Sequence, residues 1–343
     1  MSVSKKQWGR TADGSEVFLY TLRNRAGLEA EISTFGAALT ALKIPVKDSA
    51  VDVVLGYERF ENYVTDKTYS GITVGRTANR ISGASFRLDG TEYHLEKNEG
   101  ENTLHGGQSG LGTRIWSADV SEDEDRPAIR LTYSSPDGEG GYPGNLLVEV
   151  IYTMFEDGLR IDYLAETDRP CPVSLTAHPY FNLKGGGNNL SGHELTIHSC
   201  NTLELDAELI PTGTITDVHG TPGDFTVPAP MDGSDPDNPA QHDRYYILDK
   251  VSGEMSVAAL ISCKSSGLEL EISTTQPGLQ FYSGDGIEPG TVGKKGCVYG
   301  PRAGFCIEPH GYPDAPNRKE FPSVILHPGA TYMHSTEYRF RHI

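Results

Sequence analysis

The apolar positions of this chain fall in short runs, several alternating with polar ones at a period of two, which predicts strands rather than helices. Val17–Leu22 and Leu28–Ile44 read as a first meander, broken by Arg25-Ala26-Gly27 and by the small-residue patch Gly36-Ala37-Ala38. Val51–Leu55 is a further short apolar run, and the polar-aromatic stretch Tyr57–Tyr63 predicts a helical turn. Phe86-Arg87-Leu88 and Tyr93-His94-Leu95 flank Asp89-Gly90, a strong short-range signal for a hairpin. A second hairpin is predicted where Val148, Val150, Tyr152 and Met154 alternate up to Asp157-Gly158 and Leu159, Ile161 and Tyr163 alternate on the way back. Near the C-terminus, Phe305-Cys306-Ile307 predicts a buried strand, with Pro309 ending its ladder directly after the lone acid Glu308.

Composition supports a mainly β chain: 39 Gly, 21 Pro and 17 Tyr against 5 Met favour many short strands joined by turns. The 343 residues carry no 20–50 residue repeat and no long Pro/Ser/Gly linker, so one domain spanning 1–343 is expected. The charge run Glu122–Arg126 and the segment Met231–Asn238 read as solvated loops. A formal charge of −18 argues against nucleic acid and anionic membranes as partners and favours a neutral ligand. The five cysteines, Cys171, Cys200, Cys263, Cys297 and Cys306, lack a C-x-x-C pair and read as reduced, buried thiols. The N-terminal MSVSKKQWGR has no apolar h-region and no segment approaches a membrane span, so a cytoplasmic location is expected.

Several chemistries are unsupported. His193-Glu194 with His198 looks like a zinc helix motif, but the spacing is five instead of four. Thr196-Ile197 predict a strand, on which odd spacing sends the two rings to opposite faces. No phosphate-binding G-x-x-x-x-G-K-[ST], no G-x-G-x-x-G opening a helix and no G-x-S-x-G elbow is present, so nucleotide cofactors and an α/β-hydrolase serine are unsupported, and with the zinc motif discarded no metal is expected. Acid–base chemistry by His and Glu remains. Burial among apolar neighbours would raise the pKa of Glu308 toward that of a general base. In TAHPYFNL (176–183) a histidine stands before Pro and two aromatics, whose faces suit sugar C–H surfaces; in NTLHGG (102–107) His105 precedes a Gly-Gly turn. In GRTANRI (75–81) Asn79 and Arg80 offer planar, many-donor groups matched to hydroxyl oxygens.

Taken in order, GRTANRI, FRLDGTEYHL running into NEGENTLHGG, YSSPDGEGGYPGNL, TAHPYFNL and GFCIEPHGYPDAPN resemble the aldose 1-epimerase (galactose mutarotase) family, with matches from about Trp8 to Phe340. The resemblance implies a large antiparallel β-sandwich, the galactose mutarotase-like supersandwich, and interconversion of the anomers of free hexoses without a cofactor. It further implies Glu308 as base and His178 as acid, with Asn79, Arg80, His105 and Asp243 binding the monosaccharide. Two positions depart from the family pattern: Ala177 stands where Asn is common, and Pro309-His310-Gly311 where Thr-Gln-His is common. His310 is therefore expected to contact the sugar in place of an amide and to alter the preference among sugars. Other classes that share such sandwiches are a sugar-binding module, a divergent sugar epimerase, a polysaccharide lyase and a glycosidase. A module would not need Glu308 and His178, and a lyase on acidic polymers would need a basic cleft. A glycosidase would need a carboxylate pair, for which Asp243 or Asp314 with Glu308 are candidates. The preferred sugar and the oligomeric state stay open.

Overall fold

The computed structural model describes residues 2–47, 49–121, 126–232, 242–251 and 253–343. Its larger elements are three antiparallel sheets. The first is a five-stranded meander in chain order, Ser2–Arg10, Glu16–Arg23, Glu29–Ser33, Leu39–Val46 and Ser49–Asp52. The break at the small-residue patch is made by Gly36 and Ala37, both at positive φ (67° and 45°). The second sheet has nine strands. Ser117–Val120, Ala128–Ser135, Leu146–Met154 and Gly158–Thr167 follow one another; then come Tyr332–His342, Leu268–Thr274, Ser256–Cys263, His193–Ile197 and Ala229–Pro230. The C-terminal strand thus closes the middle of this sheet. The third sheet, in spatial order, holds Pro211–Asp217, Asn201–Leu205, Asp243–Ile247, Gly278–Tyr282 and, at its edge, Cys306–His310. One apolar cluster draws side chains from all three, among them Leu22, Ile32, Val148, Ile161, Ile272, Tyr246 and Leu279.

Both predicted hairpins form. Ser85–Leu88 pairs with Thr91–His94 across Asp89 and Gly90, whose φ of 50° and 82° give the double positive-φ turn that suits strand twist. Leu146–Met154 pairs residue by residue with Gly158–Thr167, alternate side chains entering the core. The helical turn lies slightly later than predicted, at Phe60–Thr65, because Phe60 and Tyr63 fill an aromatic cluster with Trp8 and Phe35. In the discarded zinc motif, His193 is a satisfied core residue: its Nδ1 donates to Leu190 O and its Nε2 accepts from Leu183 N–H, each at 3.0 Å, while His198 is exposed.

Three expectations need correction. The ladder does not stop before Pro309: Leu279 pairs with Pro309 and Gly278 with His310. Cys306–His310 is an edge strand, where a missing N–H on the outer side leaves no ladder bond unmade. The cysteines are all free, yet only Cys171, Cys263 and Cys306 are buried; Cys200 and Cys297 are half-buried. Met231, expected in a solvated loop, is fully buried, whereas residues 122–125 and 233–238 of the two expected loops lie outside the described residues.

The motif YSSPDGEGGYPGNL owes its form to Arg76, which is 2% exposed. The guanidinium donates from Nη1 to Pro143 O and Gly144 O, from Nη2 to Ser135 O and Pro136 O, and from Nε to Ser135 Oγ, at 2.9–3.0 Å. Beside it, Thr77 Oγ1 and Tyr142 OH share a hydrogen bond of 2.6 Å. A planar five-donor fork satisfies this ring of carbonyls, and an ammonium cannot. Arg76→Lys and Arg76→Met are both expected to lower unfolding stability by about 3 kcal/mol or more, since each strands several buried carbonyls. Urea unfolding that gives either variant the parental midpoint would show that the cage carries no stability.

Candidate active site

Two stretches far apart in the sequence are locked together at Phe181 and Phe305. Phe181 N–H donates to Phe305 O at 2.7 Å and Phe305 N–H returns to Phe181 O at 2.9 Å, an isolated antiparallel bridge. Counting three residues back along one strand and three forward along the other brings His178 opposite Glu308. His178 Nε2 lies 3.5 Å from Glu308 Oε1, and both residues are under 5% exposed. Pro179 holds the backbone of His178 extended, so the ring projects from the chain into this space. Glu308 stands mid-strand, paired with Gln280.

The opposite wall is made by the GRTANRI and NTLHGG stretches. Thr103 pairs with Ile81 and Leu104 with Arg80; His105 N–H donates to Asn79 O at 3.0 Å, and Asn79 N–H donates to His105 Nδ1 at 3.2 Å. Gly106 (φ 86°) permits this turn to sit against Gly75, whose carbonyl oxygen would lie 2.0 Å from any Cβ there. Tyr69, Asn79 and His105 all hold positive φ (60°, 61° and 54°), a strained set of non-glycine residues gathered on one cleft.

The cleft between the walls encloses about 200 Å³ and is lined by Glu308, His178, Asn79, Arg80, His105 and Asp243, with Tyr69, Glu99, Tyr180, Gln280 and Tyr282 among its other walls. Polar groups are fixed by one another. Asn79 Nδ2 donates to Gln280 Oε1 at 3.1 Å and Gln280 Nε2 donates to Asp243 Oδ1. Arg80 makes a two-pronged pair with Glu99, Nε to Oε2 at 2.6 Å and Nη2 to Oε1 at 2.7 Å. Tyr69 meets His105 edge-on at 4.7 Å between ring centres, and Tyr180 lies 5.1 Å from His178.

Burial sets the electrostatics. It raises the pKa of Glu308 well above the carboxylate range, with the Asp243 charge adding to the rise and Arg80 opposing it. The same desolvation lowers His178 to about 4. His105 is also pushed down, by burial and then by His178 and Arg80, and Asp243 is raised by burial. Without ligand, burial therefore favours one proton on the Glu308–His178 pair, with both members neutral. Glu308 Oε2 is buried with no protein partner. His105, His178 and Glu308 offer three ligating atoms within 4.8 Å of one another, the make-up of a cation site. Because Nδ1 of His105 accepts the Asn79 N–H, neutral His105 carries its proton on Nε2. It presents a donor there, which suits an oxygen of a ligand better than a metal ion.

Six of the seven residues expected at the site thus meet at one cleft, and His310 does not. It shares the face of Glu308 by strand alternation, but it is fully buried, 5.1 Å from the Tyr245 ring, with Nδ1 on Gly311 O at 2.5 Å. Gly278, opposite His310, leaves the room that the Tyr245 hydroxyl fills: a Cβ there would lie 2.3 Å from it. Ala177 likewise faces the apolar core and not the cleft. Asp314 is a staple: Oδ1 accepts from Ser82 N–H and Asn317 Nδ2 at 3.0 and 2.8 Å, and its own N–H donates to Arg80 O. Gln280 is the main residue that sequence reasoning missed. Its signal was available, as a lone amide between Leu279 and Phe281 in an apolar strand.

Comparison with known proteins identifies the family. The family profile described as Aldose 1-epimerase matches residues 19–339. The chain is 39% identical to human galactose mutarotase over 315 residues, 91% of each chain. It is 34% identical to the aldose 1-epimerase of Escherichia coli strain K12 over 337 residues, 96% of each. Among solved structures, an aldose epimerase homologue from C. elegans superposes with a TM-score of 0.87 at 31% identity, covering 95% of this chain and 99% of the other. A galactose 1-epimerase from Lactobacillus acidophilus also gives 0.87, at 24% identity and 99% coverage of both, and agrees in fold. With the family profile over most of the chain and relatives of this identity along nearly their whole length, this chain belongs to the aldose 1-epimerase family.

Proposed function

We propose that this protein interconverts the α and β anomers of free hexoses, galactose and glucose foremost, with Glu308 as base and His178 as acid. The observation that carries the assignment is the approach of His178 Nε2 to Glu308 Oε1 at 3.5 Å inside a cleft of fixed polar groups. Opening a hemiacetal removes a proton from the anomeric hydroxyl while one is delivered to the ring oxygen. Glu308 takes the first and His178 gives the second, so the pair passes from carboxylate and imidazolium to two neutral groups. Rotation about C1–C2 presents the other face of the aldehyde, and reclosure returns both protons. Entry of a sugar supplies O–H donors to the buried Glu308 oxygens, which favours the charged form that begins the cycle. Asn79, Arg80, His105 and Asp243, with Gln280 between two of them, hold the remaining hydroxyls and keep the open chain in place. His310 acts from behind, packed against Tyr245, whose strand partner Gln280 lines the cleft.

An apolar cluster that draws on all three sheets supports one domain for this task. No helix among the described residues is long and apolar enough to cross a membrane. The five free thiols suit a reducing compartment, so we place the activity in the cytoplasm.

Polarimetry of freshly dissolved α-D-galactose and α-D-glucose tests the activity directly, and the same assay separates chemistry from binding. Glu308→Gln keeps the reach of the side chain without the ability to take a proton. It should lower kcat by about 10²–10⁴, with sugar affinity measured by calorimetry nearly unchanged. His178→Asn should behave alike, and the double variant should lose far less than the product of the two. A folded Glu308→Gln protein with parental kcat ends the assignment of the base.

The pH profile follows from one proton on the pair. Acidification through about 4 adds a second proton at His178 and shuts the cycle, whereas alkalinisation removes the last proton from Glu308, whose pKa burial has raised. After subtraction of the spontaneous rate, kcat/KM should be level through neutrality with its acid limb near pH 4. An acid limb near 6.5, the ordinary histidine value, would mean that His178 is not held in a dry site.

A further inference from the structure

The mechanism uses His178 at Nε2, the atom that faces Glu308. A ring that takes up and releases a proton at Nε2 must keep its other proton on Nδ1 at every stage. If that proton moved, neutral His178 would already carry hydrogen at Nε2 and have no lone pair there to receive one. Nδ1 lies 3.4 Å from Cys306 Sγ, within hydrogen-bond range for sulfur. The thiol is fully buried against Leu55, Tyr180, Ile287 and Tyr299, and Cys306 precedes Glu308 by two residues on the same strand, so both side chains stand on one face.

We infer that Cys306 is a positioning residue for the epimerase reaction: its sulfur accepts the Nδ1–H of His178, fixes that tautomer, and leaves Nε2 as the working atom. The strand that carries the base thereby also aims the acid. A thiol suits this place for a second reason. Burial holds Cys306 neutral, far above the usual thiol range. A carboxylate in its position would stabilise the imidazolium and trap the proton on His178; a weak, neutral acceptor fixes the tautomer while leaving the proton free to cross.

The inference rests on His178 as the proton carrier, and the test separates the two. Long-range ¹H–¹⁵N NMR of protein labelled at histidine reports the tautomer of each ring, with the His178 signals assigned by their loss in His178→Asn. The parent should show His178 as the Nδ1–H form. Cys306→Ala should move it toward Nε2–H or a mixture and lower kcat about tenfold with KM within about twofold; Cys306→Ser, whose oxygen also accepts, should keep the tautomer and most of kcat. Nε2–H in the parent overturns the inference, as does Cys306→Ala with parental tautomer and kcat. If Cys306→Ala fails to fold, the parent spectrum and Cys306→Ser decide the matter alone. Parental kcat in His178→Asn would sink the acid assignment itself, whereas its loss there beside an inert Cys306→Ala sinks only the role of the thiol.

Discussion

Desolvation of Glu308 and His178 is the constraint on which the rest of the structure depends. Either group alone in a dry cleft would take its neutral form and stay there, since an isolated buried charge is costly. Two such groups within reach of one another can exchange one proton at little net change in charge, because what one gains the other loses. That exchange tolerates no slack in alignment, and the alignment comes from the backbone. The Phe181–Phe305 bridge ties the two stretches by a pair of main-chain hydrogen bonds, so neither side chain depends on a flexible loop for its place. The bridge is itself buried, with the Phe181 ring 6.0 Å from that of Phe305 and 5.2 Å from that of Tyr338.

The facing wall is held by different means. Tyr69, Asn79 and His105 sit at backbone angles that cost energy for any residue with a Cβ, and they persist because their surroundings over-determine them. Arg76 anchors the start of the same segment in its cage of carbonyls, and Asp314 holds its end through Ser82 and Arg80. Two arginines four residues apart therefore do unlike work: Arg76 is buried and structural, and Arg80 reaches the cleft with Glu99 as counter-ion. Only Arg80 stood out in the sequence, beside Asn79; the part Arg76 plays depends on carbonyls 59 to 68 residues further along the chain.

What the sequence disclosed was whatever depends on local pattern or on an odd residue in a plain setting. Asp89-Gly90 and Asp157-Gly158 marked hairpins because turn chemistry is local, and Glu308 stood out as a lone acid in an apolar run. Pro309 misled because its effect depends on whether the strand has a neighbour on its outer side, which is a property of the sheet. His310 misled for a related reason. Alternation places it on the face of Glu308, but whether that face opens onto the cleft is decided by Tyr245 and Gly278 on other strands. Gln280 escaped notice although it joins Asn79 to Asp243, because an amide in a strand acquires meaning only from what lies opposite it.

The departures from the family pattern also take a different sense. Ala177 and His310 both lie away from the cleft lining, Ala177 in the apolar core and His310 against Tyr245. Their effect must pass through packing. His310 adjoins the far end of the strand whose near end is Cys306, and Glu308 stands between them. On the mechanism proposed above, a change of volume at His310 would reach the carboxylate through two residues of paired strand, where a small shift would alter the approach to His178. On the same proposed mechanism, preference among sugars falls to the polar groups that line the cleft, Asn79, Arg80, His105, Asp243 and Gln280, and the layer behind them bears on the alignment of the proton pair.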